Sequence, residues 1–306
     1  NSVPFLGVAL AQVAGRLSAA LELATSSPLL LILLVDKGLQ AQWSEQTLSA
    51  VLSEKQATLC GIIGLPDTRA SAKLLRRCQL CPMIQREFIV LKRALHDPST
   101  TRLLRHYPAP YVKQLMFLAN YDGERWPGLL LLMDDALTSS RAGRGSAWLK
   151  EMLSDTQRLA EANLEALHRV TTVTGLQALH DRQVTRFNTR MGMGDMARDV
   201  ALLEKRHGPY PSPPLPNRGA ITAITSWKGL LLEGRRMHHC VGSYDRPVAL
   251  GHVAIYHLHL PESVTIAIAP QGHQWGLSQA HGVRNTQPSS EAQQVIYQWL
   301  AEQADA

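Results

Sequence analysis

HGPYPSPPLPNRG, residues 207–219, divides the chain into two regimes and decides how the rest is read. Its five prolines in 13 residues remove backbone donors and fix φ, so no helix continues through it and the connection is extended and stiff. Upstream, from Phe5 to about His207, apolar residues recur at helical spacing, as in FLGVALAQVAGRLSAALELA. Each series stops at a proline-bearing break: SSP at 26–28, GLPDT at 64–68, HDPST at 96–100 and YPAP at 107–110. Downstream the pattern changes. SWKGLLLEGRRMHHC reads as a helix ending near the Gly242 and Ser243 turn, and SSEAQQVIYQWLAEQ as a closing amphipathic helix with a Ser cap. Between them GHVAIYHLHL, SVTIAIA and QWGLSQ read as β-strands, separated by turns at Pro261–Glu262 and Pro270–Gly272. The sequence thus predicts a mainly α helical array over 1–206, a proline-rich linker over 207–219 and a small α+β domain over 220–306 with a three-stranded antiparallel sheet.

A chain of 306 residues with 45% apolar and 18% charged content is long enough for two domains and a substantial core, and is not polar enough for a disordered one. PLLLILLV, residues 28–35, falls far short of the roughly 20 residues of a membrane-spanning helix and reads as buried core. No membrane partner is expected, and the expected location is cytoplasmic. Four cysteines make no disulfide framework. Cys78 and Cys81 form a CxxC in RRCQLCPM, but without a second ligand pair, and in a helical pattern, they read as small buried hydrophobes. The net charge of +6 is unevenly placed. Lys73, Arg76, Arg77, Arg86, Lys92, Arg93, Arg102, Arg105 and Lys113 face only Glu87 and Asp97 in the same interval, whereas the chain from Asn217 onward is neutral. Such a cluster attracts phosphate, or is a set of solvated helix faces.

The chemistry-bearing stretch is MHHCVGSY, residues 237–244, with QAHGVRN, residues 279–285, as its counterpart beyond the strands. Together with Glu233–Gly234 and GHVAIY these boxes resemble the PcfJ-like family, whose pattern is a Cys-Val-x-x-Tyr box followed by strands and a Gln-x-x-Gly-x-x-Asn box. The resemblance covers roughly Ala220 to Leu300 and places family positions on Cys240, Tyr244, Gln279, Gly282 and Asn285. Members occur on conjugative plasmids, phages and bacterial chromosomes, so the resemblance implies a setting in mobile elements; it supplies no reaction.

Three readings of the residues stay open. A Cys–His–Asn set of Cys240, His281 and Asn285 has the residue types of a thiol hydrolase, although a helix C-terminus before Cys240 disfavours a thiolate. Zinc on Cys240, His257 and His259 is the metal alternative, since seven of the 12 histidines lie between 238 and 281; otherwise neither metal nor cofactor is called for. The third is a packed polar corner or binding pocket of His239, Tyr244, Gln279, Gly282 and Asn285, with Gln279 sharing a strand face with Trp275 and Leu277. Function is accordingly expected to be nucleic-acid association, with DNA or RNA held by the basic helices and recognised or processed by the C-terminal pocket. A Cys240-dependent enzyme and a protein-partner-binding module without catalysis are the alternatives.

Overall fold

A computed structural model describes residues 2–138, 145–160, 164–193 and 196–304. The chain forms two compact units, one of Asn1–Lys150 with His168–Val173, the other of Glu151–Leu167 with Thr174–Ala306. The proline-rich stretch at 207–219, expected to separate domains, therefore lies inside the second unit. The helices on its N-terminal side from residue 174 onward pack with the sheet on its C-terminal side.

The first unit is helical. Its helix Pro28–Gln40 carries the PLLLILLV run, and Leu29 through Val35 are all buried, as an all-round apolar helix must be. Ser44 and Thr68 cap the helices Glu45–Leu52 and Arg69–Arg77 by accepting from Thr47 N and Ser71 N. Asp97 caps Pro98–Leu104 and also holds Arg125 at 2.7 Å. The CxxC is not helical as expected: Cys78 is the residue that ends Arg69–Arg77, and Cys81 lies beyond the short bridge between Gln79 and Tyr111. Burial pushes the Cys78 thiol up to about 12 and the Cys60 thiol up to about 11, so these behave as apolar packing groups. No single described helix is long and apolar enough to cross a membrane.

The second unit is built on an antiparallel sheet of four strands rather than three: β1 Ile221–Ala223, β2 Ala254–Leu258, β3 Val264–Gln271 and β4 Gln274–His281, in that order. β1 pairs Ile221 with Leu258 and Ala223 with Tyr256. At three residues it is too short for alternation to be visible in the sequence.

Each face of the sheet has its own core. Tyr256, Leu258, Val264, Ile266 and Ile268 pack with Ala292, Ile296 and Trp299 of the closing helix Ser290–Ala304. On the other face Ile255 and Ala267 pack with Trp227 and Leu230 of the helix Trp227–Met237, with Cys240, Val241 and Tyr244, and with Val184 of the helix Val173–Met193.

The second face also buries a charge. Glu233, with a side chain 1% exposed, accepts from His257 Nδ1 at 2.7 Å, from the Thr265 hydroxyl and from Arg236. Hydrogen bonds from His257 and Thr265 outweigh the burial that opposes ionisation and hold its carboxyl below the usual range. Removing one member of such a buried pair strands the other. Glu233→Ala should cost about 3–5 kcal/mol in urea unfolding at unchanged m-value; a loss below about 1 kcal/mol, the scale of an exposed ion pair, would contradict a buried, fully engaged carboxylate.

Candidate functional site

The helix Trp227–Met237 stops because His238 adopts the left-handed conformation (φ 52°) and returns its N–H to Arg235 O and Gly234 O. The chain then doubles back so closely that a Cβ on Gly234 would meet Gly242 N at 2.7 Å, which is why the helix carries glycine there. His239 follows, and its surroundings assign it a structural task. Its Nε2 lies 2.8 Å from Thr265 Oγ1, whose own hydrogen goes to Glu233, so Nε2 is the donor. Nδ1 accepts weakly from Val241 N at 3.5 Å. Burial is the main reason its pKa falls to about 4.

Cys240 opens a single 3-10 turn, Cys240–Ser243, closed by Ser243 Oγ donating to Cys240 O at 2.8 Å. Its thiol donates to Asp155 Oδ2 at 3.0 Å. The Tyr244 hydroxyl meets both Asp155 oxygens, at 3.1 and 3.3 Å, and lies 3.0 Å from Gln279 Oε1. Asp155 comes from the helix Gly145–Ala160, as does Arg158 one turn on. Arg158 pairs with Asp155, donates to Ser243 Oγ at 3.2 Å and stacks its guanidinium 4.2 Å from the Tyr244 ring centre. Burial first, then the Asp155 charge, raise the Cys240 thiol well above its ordinary pKa despite Arg158. Burial likewise lifts the Tyr244 hydroxyl, and Glu151, beside Asp155 and bonded to Gln279, is also raised.

Gln279 reaches this cluster because of a β-bulge. β3 pairs Ala267 with Gln279 and Ile268 with Leu277, leaving Ser278 unpaired. The extra residue resets the alternation: Trp275 and Leu277 stay on the Trp299 side, while Gln279 and His281 turn to the Cys240 side. The expected common face for Trp275, Leu277 and Gln279 is corrected accordingly. Beyond β4, Gly282 is pressed so tightly that a Cβ would lie 2.5 Å from Thr286 Oγ1, and Arg284 and Asn285 both take left-handed φ, 56° and 59°. Consecutive non-glycine residues there hold backbone strain of the kind that clusters at functional sites.

Asp155, His239, Cys240, Tyr244, Gln279, His281 and Asn285 line one cavity of about 30 Å³, room for a water or two. The two sequence boxes therefore converge, with Gly282 shaping the second. The hydrolase relay does not form: no hydrogen bond joins Cys240 to His281 or Asn285 among the described residues. The zinc set Cys240, His257 and His259 is divided too. His257 is spent on Glu233, His259 faces Thr222 Oγ1 at 2.9 Å, and Cys240 is turned to Asp155. What sequence reading missed is upstream: Asp155, Arg158 and His180. Asp155 lies 85 residues from Cys240 on a helix without a motif, and the i,i+3 spacing of Asp155 and Arg158 is its only sequence trace.

A second concavity, a groove of about 1000 Å³, lies on the same unit, lined by Asp181, Val184, Thr185, Asn188 and Thr189 of the helix Val173–Met193 and by Leu232, Arg235, Arg236, His238 and Arg284. Of the nine clustered basic residues between 73 and 113, Lys73, Arg76, Arg86, Arg93, Arg102, Arg105 and Lys113 are exposed. Three of the nine are engaged within the fold: Arg77 holds Tyr107 O and Arg105 O, Lys92 pairs with Asp36, and Arg93 holds Asn120.

Residues 163–297, in the C-terminal region, match the family model described as PcfJ-like protein. Comparison with curated proteins finds no match, and neither does comparison with solved structures.

The buried thiol and imidazole each have a measurable signature. Cys240 should be alkylated far more slowly than a free thiol at pH 7 in the native, metal-free protein, and at an ordinary rate once unfolded; fast native labelling mapped to Cys240 would refute a buried, protonated thiol. His239, neutral in the fold down to about pH 4, leaves the unfolded state binding the extra proton below the ordinary histidine value of 6.5. Stability should therefore fall as pH drops from 6.5 towards 4, by on the order of 3 kcal/mol for this group. In His239→Gln that part of the slope should vanish from the urea midpoint plotted against pH.

Proposed function

We propose that the protein binds nucleic acid and that the groove of the second unit is where the strand lies, in the service of mobile elements or their control. The observation that carries this reading is the composition of the groove. Arg235 and Arg284 line it with no ion-pair partner among the described residues, beside Arg236 and His238; these three arginines outnumber the one carboxylate of the groove, Asp181, whose helix also offers the hydroxyls and amide of Thr185, Thr189 and Asn188. Guanidinium groups with uncommitted donors match phosphate oxygens, and hydroxyl and amide groups add the sequence-independent contacts that hold a backbone in register. Arg182, Arg186 and Arg190, four residues apart on the helix Val173–Met193, extend positive charge along the same helix. Among the described residues no Phe, Tyr or Trp lines the groove, so the expected recognition is of the phosphate backbone and not of stacked bases.

The match to the PcfJ-like family gives the setting, and the exposed basic residues of the first unit add long-range attraction. The thiol-enzyme reading draws no support from a Cys240 that is 6% exposed and hydrogen-bonded to a carboxylate.

Fluorescence anisotropy of the full chain with labelled single-stranded and duplex DNA and RNA tests the proposal. Binding should weaken steeply with salt. Arg235→Ala/Arg284→Ala should lower affinity about equally for all sequences and reduce the log–log salt slope by roughly one for each phosphate that is no longer neutralised. Absence of binding at low salt, or binding that this double variant leaves unchanged, overturns the groove assignment.

A further inference from the structure

Within the second unit, apart from the basic groove, one ligand atom each from Asp155, His180 and Cys240 lies within 4.8 Å of the others. All three are buried or nearly so. His180 is the informative member, because it is 1% exposed and its Nε2 is buried with no hydrogen-bond partner among the described residues. A buried ring nitrogen in that state calls for an occupant. Its other nitrogen, Nδ1, faces Asp181 Oδ1 at 3.3 Å. A carboxylate on one imidazole nitrogen orients the ring and strengthens the other nitrogen as a metal ligand.

We infer that Asp155, His180 and Cys240 form a binding site for a thiolate- and imidazole-preferring divalent cation, zinc above others. One carboxylate, one imidazole and one thiolate leave a fourth position, the pattern of zinc sites that keep a water. The cavity beside Cys240, lined also by Gln279, His281 and Asn285, has room for that water. Zinc bonds of about 2.0–2.3 Å place tetrahedral ligand atoms about 3.5 Å apart, so adjustments of about an ångström complete the set. Arg158 and Tyr244 are compatible with this. Asp155 Oδ1 takes Arg158 and is the nearer oxygen to Tyr244, whereas Oδ2 is the oxygen that faces the Cys240 thiol.

The thiol hydrogen now pointing at Asp155 occupies the place of the cation. Binding is an exchange: the zinc ion enters, the Cys240 Sγ–H bond breaks, its electron pair goes to zinc and the proton leaves to buffer. No oxidant or reductant takes part. Sequence spacing does not reveal this set, because its three members come from separate elements and His239, next to Cys240, is spent on Thr265.

The test uses the full chain, stripped with a chelator and titrated with zinc in competition with a chromophoric chelator, then with cobalt(II). Expected are one tight zinc per chain, proton release on binding, and a cobalt spectrum of tetrahedral type with a thiolate charge-transfer band. Cys240→Ser should abolish that band and His180→Gln should weaken zinc at least tenfold. Asp181→Asn, a change at an exposed side chain, should weaken it about 10–100-fold with the fold intact by circular dichroism. Should the core variants fail to fold, the wild-type cobalt band and protection of Cys240 from alkylation by zinc decide. A wild-type protein with no thiolate band, or zinc bound equally by a folded Cys240→Ser/His180→Gln chain, overturns the site. Either result leaves the nucleic-acid reading standing, since Arg235, Arg236 and Arg284, which carry it, take no part in the zinc site.

Discussion

The second unit depends on one buried carboxylate. Glu233 sits where water cannot reach it, and an unpaired charge there would cost several kcal/mol. The cost is offset by donors from three places: His257 on β2, Thr265 on β3 and Arg236 one turn further along its own helix. These bonds pin the helix Trp227–Met237 to the sheet. They also fix what comes after it, because Thr265 passes the same network on to His239. With His239 held and Gly234 against Gly242, the turn bearing Cys240 and Tyr244 has one place to lie.

Asp155 poses the same electrostatic problem and meets it differently. Its donors are a thiol, a phenol and a guanidinium, of which the thiol is the weakest hydrogen-bond donor and the best metal ligand. Glu233 has partners that gain nothing by leaving, whereas one partner of Asp155 becomes a stronger ligand on losing its proton. The first carboxylate therefore builds the unit, and the second is the one placed to take part in chemistry. Two of the histidines around Cys240 belong to the first, His257 directly and His239 through Thr265.

Much of this fold was legible because periodicity and punctuation are local. The helical array, the PLLLILLV core and strands β2 to β4 all follow from spacing and turn residues. β1 was not legible, being three residues whose only reason to be extended is the edge of β2. The proline-rich stretch was read correctly as a break in helix but not as an interior segment: Tyr210 packs against Trp227 at 4.8 Å between ring centres, and Leu215 N donates to the Tyr256 hydroxyl. The site was half legible. Both boxes announced themselves, but the β-bulge at Ser278 has no sequence mark, and strict alternation put Gln279 on the wrong face. Asp155 and His180 are brought in by helix packing over long separations, which no motif encodes.

Groove and cavity meet in a dipeptide. Arg284 lines the groove and Asn285, the next residue, lines the cavity beside Cys240. Successive side chains diverge to two sites here because both residues are left-handed, a conformation costing roughly 1–2 kcal/mol per residue for a non-glycine side chain. Glycine at either place would relieve the strain but would remove a guanidinium from one site or an amide from the other. The loop is held by Gly282 N on Thr286 O at 2.9 Å and by the tight contact of Gly282 with Thr286. The loop thus serves both concavities at once, with one hydrogen-bonded turn setting where Arg284 and Asn285 lie.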